Sequence, residues 1–121
     1  MLILLIEPAK APRSYRIKGD LESMQHIVGG PIQAVYPFEE PVALVCNEEA
    51  KLTGLPPNRA LRDEDGNVYD IICGTFFLCA VPPDSENFES LTDEQMERYT
   101  RHYEHPEVFL RVNGEIVALP V

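Results

Sequence analysis

The residues of this chain whose types and spacing suit binding chemistry lie between Asn58 and Asp70. Asn58, Arg59 and Arg62 follow a pair of prolines, which should interrupt regular structure and leave the segment as a loop. Two guanidinium groups presented on a loop can hold a phosphate or a carboxylate through paired hydrogen bonds. We therefore expect a ligand or a partner protein to bind here. The predicted binding residues are Asn58, Arg59, Arg62, Tyr36, Asn47 and Asp70.

Each of these residues also has a structural interpretation that the sequence leaves open. Arg59 and Arg62 can serve as counter-ions within an acidic protein, and this is the favoured interpretation of the two arginines on their own. Their available partners are Asp63, Glu64, Asp65 and Asp70. Asn47 begins a polar segment that fits a solvated hairpin tip, and Tyr36 ends an apolar run, where its ring either packs on the core or anchors a partner.

Catalytic and metal-binding patterns are incomplete in this sequence. His102 and His105 lie three residues apart, but a structural zinc site needs four protein ligands and a catalytic site three. The segment 63–66 fits a turn, because an EF-hand register would place Leu61 at a liganding position. No Gly-x-Ser-x-Gly motif and no glycine-rich phosphate loop occurs. The sequence therefore predicts no metal, no cofactor, no catalytic residues and no enzymatic activity.

The charge of the chain limits its partners. It has 121 residues, which predicts a single domain over 1–121, and a formal net charge of −10 from 20 acidic and 10 basic residues. Direct binding to a nucleic-acid backbone needs a basic surface, so we expect none. The charge serves solubility, or it provides a face that docks a basic protein.

The cysteines and the first residues predict a compartment. The three cysteines, an odd number without a Cys-x-x-Cys pair, lie in apolar runs and are expected to be buried free thiols. This usage is typical of a reducing cytoplasm. The apolar run 2–6 ends at Glu7-Pro8, too early for a membrane helix, and predicts a buried strand and no membrane association.

Two helices and several strands should position the polar residues. Asp20 is a candidate N-cap for a helix over 21–28, and Gly29 a candidate stop. Thr92 and Gln95 form a capping box at the start of a second helix that ends before Pro106. The Asn113-Gly114 pair predicts a two-residue hairpin turn. Strands are predicted at 2–7, 14–18, 32–38, 41–46, 68–72, 75–81, 108–112 and 115–119. The predicted fold is α+β, with a mostly antiparallel sheet of six to eight short strands.

Four segments together resemble one uncharacterised family, domain of unknown function 3846, and the likeness extends from Leu2 to Ala118. The segments are 33–38, 42–49, 54–62 and 69–77. The resemblance implies an origin in Gram-positive bacteria of gut and soil, or in their phages, plasmids and conjugative elements. It implies no biochemical activity.

These observations lead to three hypotheses about function. The first is a small, acidic, non-catalytic binding protein of phage or mobile-element origin that inhibits or modulates a host protein factor. The second is a sponge that sequesters a small anionic, nucleotide-like ligand through Arg59, Arg62 and Asn58. The third, an enzyme, has the least support. The sequence leaves open whether copies of the chain associate as a homo-oligomer.

Overall fold

The computed structural model describes residues 1–121 and confirms the α+β class, with two helices and nine strands. The helices are α1 (Leu21–Val28) and α2 (Asp93–His102). The strands are β1 (Leu2–Ile6), β2 (Arg13–Arg16), β3 (Ile32–Val35), β4 (Val42–Asn47), β5 (Pro57–Arg62), β6 (Val68–Cys73), β7 (Phe76–Ala80), β8 (Glu107–Val112) and β9 (Glu115–Pro120).

A five-stranded antiparallel sheet forms the centre of the molecule, in the order β2-β1-β7-β4-β3. Its three inner strands are apolar at nearly every position. Successive side chains of a strand point to opposite faces, so such strands need cover on both sides of the sheet. Every residue of β4 and β7 is buried, and the predicted burial of β1 is confirmed.

Each face of the sheet has its own core. On one face α1 contributes Met24 and Val28, which pack with Phe77 of β7. On the other face α2 contributes Tyr99, and Tyr103 follows as its C-cap residue. Leu61 and Ile72 of the β5–β6 hairpin belong to the same core. The hairpin interrupts the chain between β4 and β7, two strands that are themselves neighbours in the sheet.

The helix ends follow the local sequence signals. The Asp20 carboxylate accepts the backbone N–H of Ser23 at 3.0 Å, and Gly29 ends α1 at φ 79°. Thr92 and Gln95 make both hydrogen bonds of the predicted capping box. Neither helix has the length and apolar content needed to cross a lipid bilayer.

Strand β5 corrects the prediction that residues 58–62 form a loop. The β5–β6 pairing shifts register between Pro57 and Arg59, so Asn58 lies at a bulge. Four consecutive residues of β5, from Asn58 to Leu61, are nevertheless buried. Polar residues at two of these buried positions hide the apolar pattern by which a strand is recognised.

The cysteine prediction is partly wrong. All three cysteines are free, and Cys46 and Cys79 are buried, but Cys73 is only half-buried. Cys73 is the last residue of β6 and follows the buried Ile72. Burial raises the pKa of the Cys79 thiol to about 12.

Candidate functional site

The structure places the two arginines at a cleft of about 360 Å³ that we call the Arg59 cleft. Its wall is formed by β5, by the turn after β5, by the C-terminal end of α2 and by the segment between β3 and β4. The lining residues are Pro37, Phe38, Arg59, Ala60, Leu61, Arg62, Asp63, Glu64, Gly66, Tyr69, His102, Tyr103, His105 and Glu107.

Asn58 lies behind this cleft as a structural bridge. Its side chain is 1% exposed, and its Nδ2 donates to the carbonyl oxygens of Ile6 at 2.9 Å and Gly74 at 2.8 Å. Its Oδ1 accepts from Arg59 Nη1 at 2.8 Å. These bonds use the amide to join β5 to the ends of β1 and β6, so the structure does not present Asn58 to a ligand.

Arg59 is buried on the cleft wall without a bonded carboxylate. It is 2% exposed, and its Nη2 donates to the carbonyl oxygens of Lys10 at 2.7 Å and Tyr103 at 3.0 Å. Burial lowers the pKa of the guanidinium, and the charge of Glu107 opposes that shift. Arginine remains charged in proteins. Because Arg59 bonds to no carboxylate, the expectation that it pairs with an aspartate or glutamate near it in sequence is wrong.

Arg62 has a carboxylate partner that the sequence did not predict. Its Nη1 lies 2.5 Å from Glu107 Oε1, and the other oxygen of Glu107 accepts the backbone N–H of Ala60 at 2.6 Å. Arg62 Nη2 also donates to the carbonyl oxygen of Ala118 at 3.4 Å. Arg62 thus fastens the C-terminal hairpin to β5, instead of pairing with the acidic turn that follows it.

The other predicted site residues lie apart from the arginines. Asn47 and Asp70 line a second cleft, of about 110 Å³. Asn47 is buried, and its Nδ2 donates to the carbonyl oxygen of Val28 at 3.2 Å, at the end of α1. Asp70 pairs with Lys51 at 2.6 Å. Tyr36 is 62% exposed and lines neither cleft. Of the six predicted residues, only Arg59 and Arg62 line the Arg59 cleft.

The sequence did not predict that aromatic residues line the Arg59 cleft. The ring of His102 lies 4.5 Å from that of Tyr103 and 6.3 Å from that of Phe38, measured between centroids. His102 is exposed as a whole, but this packing partly desolvates its imidazole, which, together with the charge of Arg62, lowers its pKa. His102 and His105 both line the cleft. No group of three or more His, Cys, Asp or Glu side chains is arranged to hold a metal ion.

The C-terminal hairpin presents a second surface, which we call the aliphatic face. Residues directly opposite each other in an antiparallel pair lie on the same side of the ribbon. The register therefore places five apolar side chains together, each between 36% and 49% exposed: Val108, Leu110, Val112, Val117 and Leu119. The opposite side carries Glu107, which is bonded to β5, the half-buried Phe109 and Ala118, and the exposed Arg111, Ile116 and Pro120.

Comparison with known families assigns the domain. The family model described as Domain of unknown function (DUF3846) matches residues 1–104 of the 121. The chain belongs to this family. Searches of curated proteins and of solved structures return no match. The family predicted from the sequence is therefore confirmed, and the match ends at residue 104, short of the predicted limit at Ala118.

The matched region contains most of the Arg59 cleft and none of the C-terminal hairpin formed by β8 and β9. Twelve of the fourteen lining residues fall within residues 1–104, and His105 and Glu107 lie beyond it. Strands β8 and β9 both begin after residue 104. In this DUF3846 protein the cleft thus belongs largely to the family domain, and the aliphatic face lies outside the matched segment.

Proposed function

We propose that this DUF3846 protein is a small, non-catalytic binding protein that docks on a partner protein through its aliphatic face. The partner has an apolar strip bordered by basic side chains. The observation that carries the proposal is the row of five exposed aliphatic side chains on one side of a hairpin. Contiguous exposed apolar patches mark surfaces of contact with other proteins, so this side of the hairpin is suited to being covered.

The apolar area of the aliphatic face limits the binding free energy that its burial can contribute. Complete burial of a valine or leucine contributes about 1.5–3 kcal/mol, so covering each half-exposed side chain contributes about 1 kcal/mol. The five together contribute about 5 kcal/mol. Association costs about 4–15 kcal/mol in lost freedom, so the aliphatic face alone does not form a stable complex. The partner must supply additional, polar contacts.

The negative charge beside the aliphatic face indicates which polar contacts the partner supplies. Glu115 lies on the aliphatic face at the hairpin tip, opposite Val112. A basic side chain that borders the apolar strip of the partner would meet the Glu115 carboxylate and add a polar contact. A second copy would bring another net charge of −10 to the same interface.

The proposed role follows from the setting that the family resemblance implies. A small acidic protein of a phage or mobile element that covers a basic surface of a host protein would inhibit or modulate that protein. The activity needs no catalytic group, since occupying the surface is sufficient.

The test compares three forms of the protein. Leu110 and Val117 are direct cross-strand partners, so Leu110→Lys with Val117→Glu replaces an apolar pair by an opposite-charge pair without changing the net charge. Leu52→Ser removes a leucine that is 87% exposed elsewhere on the surface and serves as the matched control. Each form is used to capture proteins from a Gram-positive bacterial lysate. A captured protein is identified, purified and titrated against the three forms at 50 and 300 mM salt.

The expected result is a basic protein that binds the wild type and the Leu52→Ser form equally. The double variant should bind at least tenfold more weakly, and higher salt should weaken wild-type binding. Equal binding by the double variant would overturn the proposal. So would a wild-type dimer in sedimentation that the double variant converts to a monomer, because a second copy would then cover the face.

A further inference from the structure

Two buried hydrogen-bonding groups at the Arg59 cleft have no partner. They are Arg59 Nε and the Tyr103 hydroxyl, and both residues line the cleft. Arg59 is 2% exposed and Tyr103 is 4% exposed, so solvent does not satisfy these groups. Nearly all buried polar groups in proteins have a hydrogen-bond partner, and two exceptions on one cleft wall indicate a missing acceptor.

The charges of the inner wall favour an anion as that acceptor. Arg59 and Arg62 each carry a positive charge, and Glu107 is the buried carboxylate beside them. Glu107 already accepts from Arg62 and from the backbone N–H of Ala60. The guanidinium of Arg59 bonds only to uncharged oxygens, namely three carbonyl groups and the Asn58 side-chain amide. Glu107 is thus the one buried carboxylate beside two guanidinium groups, and an anion that enters the site adds a second negative charge for them.

The remaining wall is aromatic. Phe38, Tyr69, His102 and Tyr103 line the cleft. Its volume of about 360 Å³ falls within the usual range for small-molecule sites. Planar rings favour a planar group of the ligand, because nucleobases stack on aromatic side chains. Tyr69 is 58% exposed and His105 is exposed, so these two lining side chains are free to move when a ligand enters the cleft.

The acidic residues at the cleft limit how much negative charge it accepts. Asp63 and Glu64 also line it. One oxygen of Asp63 accepts the backbone N–H groups of Asp65 and Asn67, which holds its carboxylate in the turn. These two exposed carboxylates on the cleft lining repel a long polyphosphate more strongly than a single phosphate.

We propose that the Arg59 cleft binds a nucleoside monophosphate, with the phosphate held by Arg59, Arg62 and Tyr103 and the base packed on the aromatic wall. This site is separate from the aliphatic face and does not depend on the partner-docking function. It narrows the predicted anionic ligand to one chemical class.

Tyr103→Phe is the sharpest test, because it removes only a hydroxyl that has no partner in the protein. Tyr99→Phe is the matched control. Tyr99 lies one turn earlier on α2, its hydroxyl donates to Glu40 at 2.5 Å, and it does not line the cleft. Tyr69→Ala is a second variant, which removes an exposed ring and leaves the core intact. Isothermal calorimetry uses adenosine monophosphate, adenosine, adenosine triphosphate and inorganic phosphate as probes.

Adenosine monophosphate should bind the wild type and the Tyr99→Phe form with equal affinity. Tyr103→Phe and Tyr69→Ala should each weaken that binding at least tenfold. Adenosine, inorganic phosphate and adenosine triphosphate should bind more weakly than the monophosphate. The Leu110→Lys/Val117→Glu form should bind the monophosphate like wild type, which separates failure of this site from failure of partner docking. Absence of monophosphate binding at millimolar concentration, or undiminished binding by both cleft variants, would overturn the proposal.

Discussion

Replacement of Asn58 by alanine tests whether this residue bridges strands or serves a ligand. The change removes two hydrogen bonds that Nδ2 donates to Ile6 and Gly74, and one that Oδ1 accepts from Arg59. A net buried hydrogen bond contributes about 1 kcal/mol, and groups left unsatisfied add to the cost. We expect the free energy of unfolding to fall by about 3 kcal/mol. For a domain of this size that lowers the melting temperature by roughly 12 °C.

Chemical denaturation followed by circular dichroism measures this loss. Asn67→Ala is the matched control, because Asn67 is exposed in the turn between β5 and β6 and its side chain makes no hydrogen bond. The control should lie within about 0.5 kcal/mol of wild type. If Asn58→Ala is as stable as the control, the bridge does not hold these strands together, and the binding role assigned from the sequence stands again.

Three further outcomes follow from buried or half-buried groups. Arg59→Met should lower the free energy of unfolding, measured by denaturation, by about 3 kcal/mol or more, because the carbonyl oxygens of Lys10 and Tyr103 lose a charged donor. An unfolding free energy equal to that of the wild type would contradict the anchoring role of Arg59. The folded state lowers the pKa of His102, so the unfolded chain binds that proton more readily, and stability should decrease slightly as pH falls below about 6.5. His102→Gln should reduce this loss of stability at low pH. If the control variant His26→Gln reduces it equally, the loss does not come from His102. Half-buried Cys73 should react with a thiol reagent on the folded protein before Cys79 does, and equal rates would contradict the burial.

Features set by neighbouring residues could be predicted from the sequence. The Thr92–Gln95 capping box uses groups three residues apart, and the turn at Asn113-Gly114 uses two residues with positive φ, 51° and 82°. Such signals act within a few residues, so they need no knowledge of the fold. The apolar run of β1 was equally informative, since a strand without polar positions needs cover on both faces.

The role of Arg59 could not be predicted, because its partners lie far away in sequence. The carbonyl oxygens that accept from it belong to Lys10 and Tyr103, which are 49 and 44 residues away. Arg62 bonds to Glu107 across a similar gap in sequence. An arginine beside several aspartates indicates local ion pairs, and only the folded chain brings Lys10, Tyr103 and Glu107 to β5. The sequence thus located two residues of the cleft and missed its aromatic wall.

Photo-crosslinking from the aliphatic face tests the proposed function most directly. Leu110→p-benzoylphenylalanine places a reactive group on that face, and the same group at Leu52, which is 87% exposed, is the control. In a Gram-positive bacterial lysate, we predict that position 110 crosslinks to one basic protein and that position 52 does not. Crosslinks from position 110 only to a second copy of this chain, or equal crosslinks from both positions, would contradict the account.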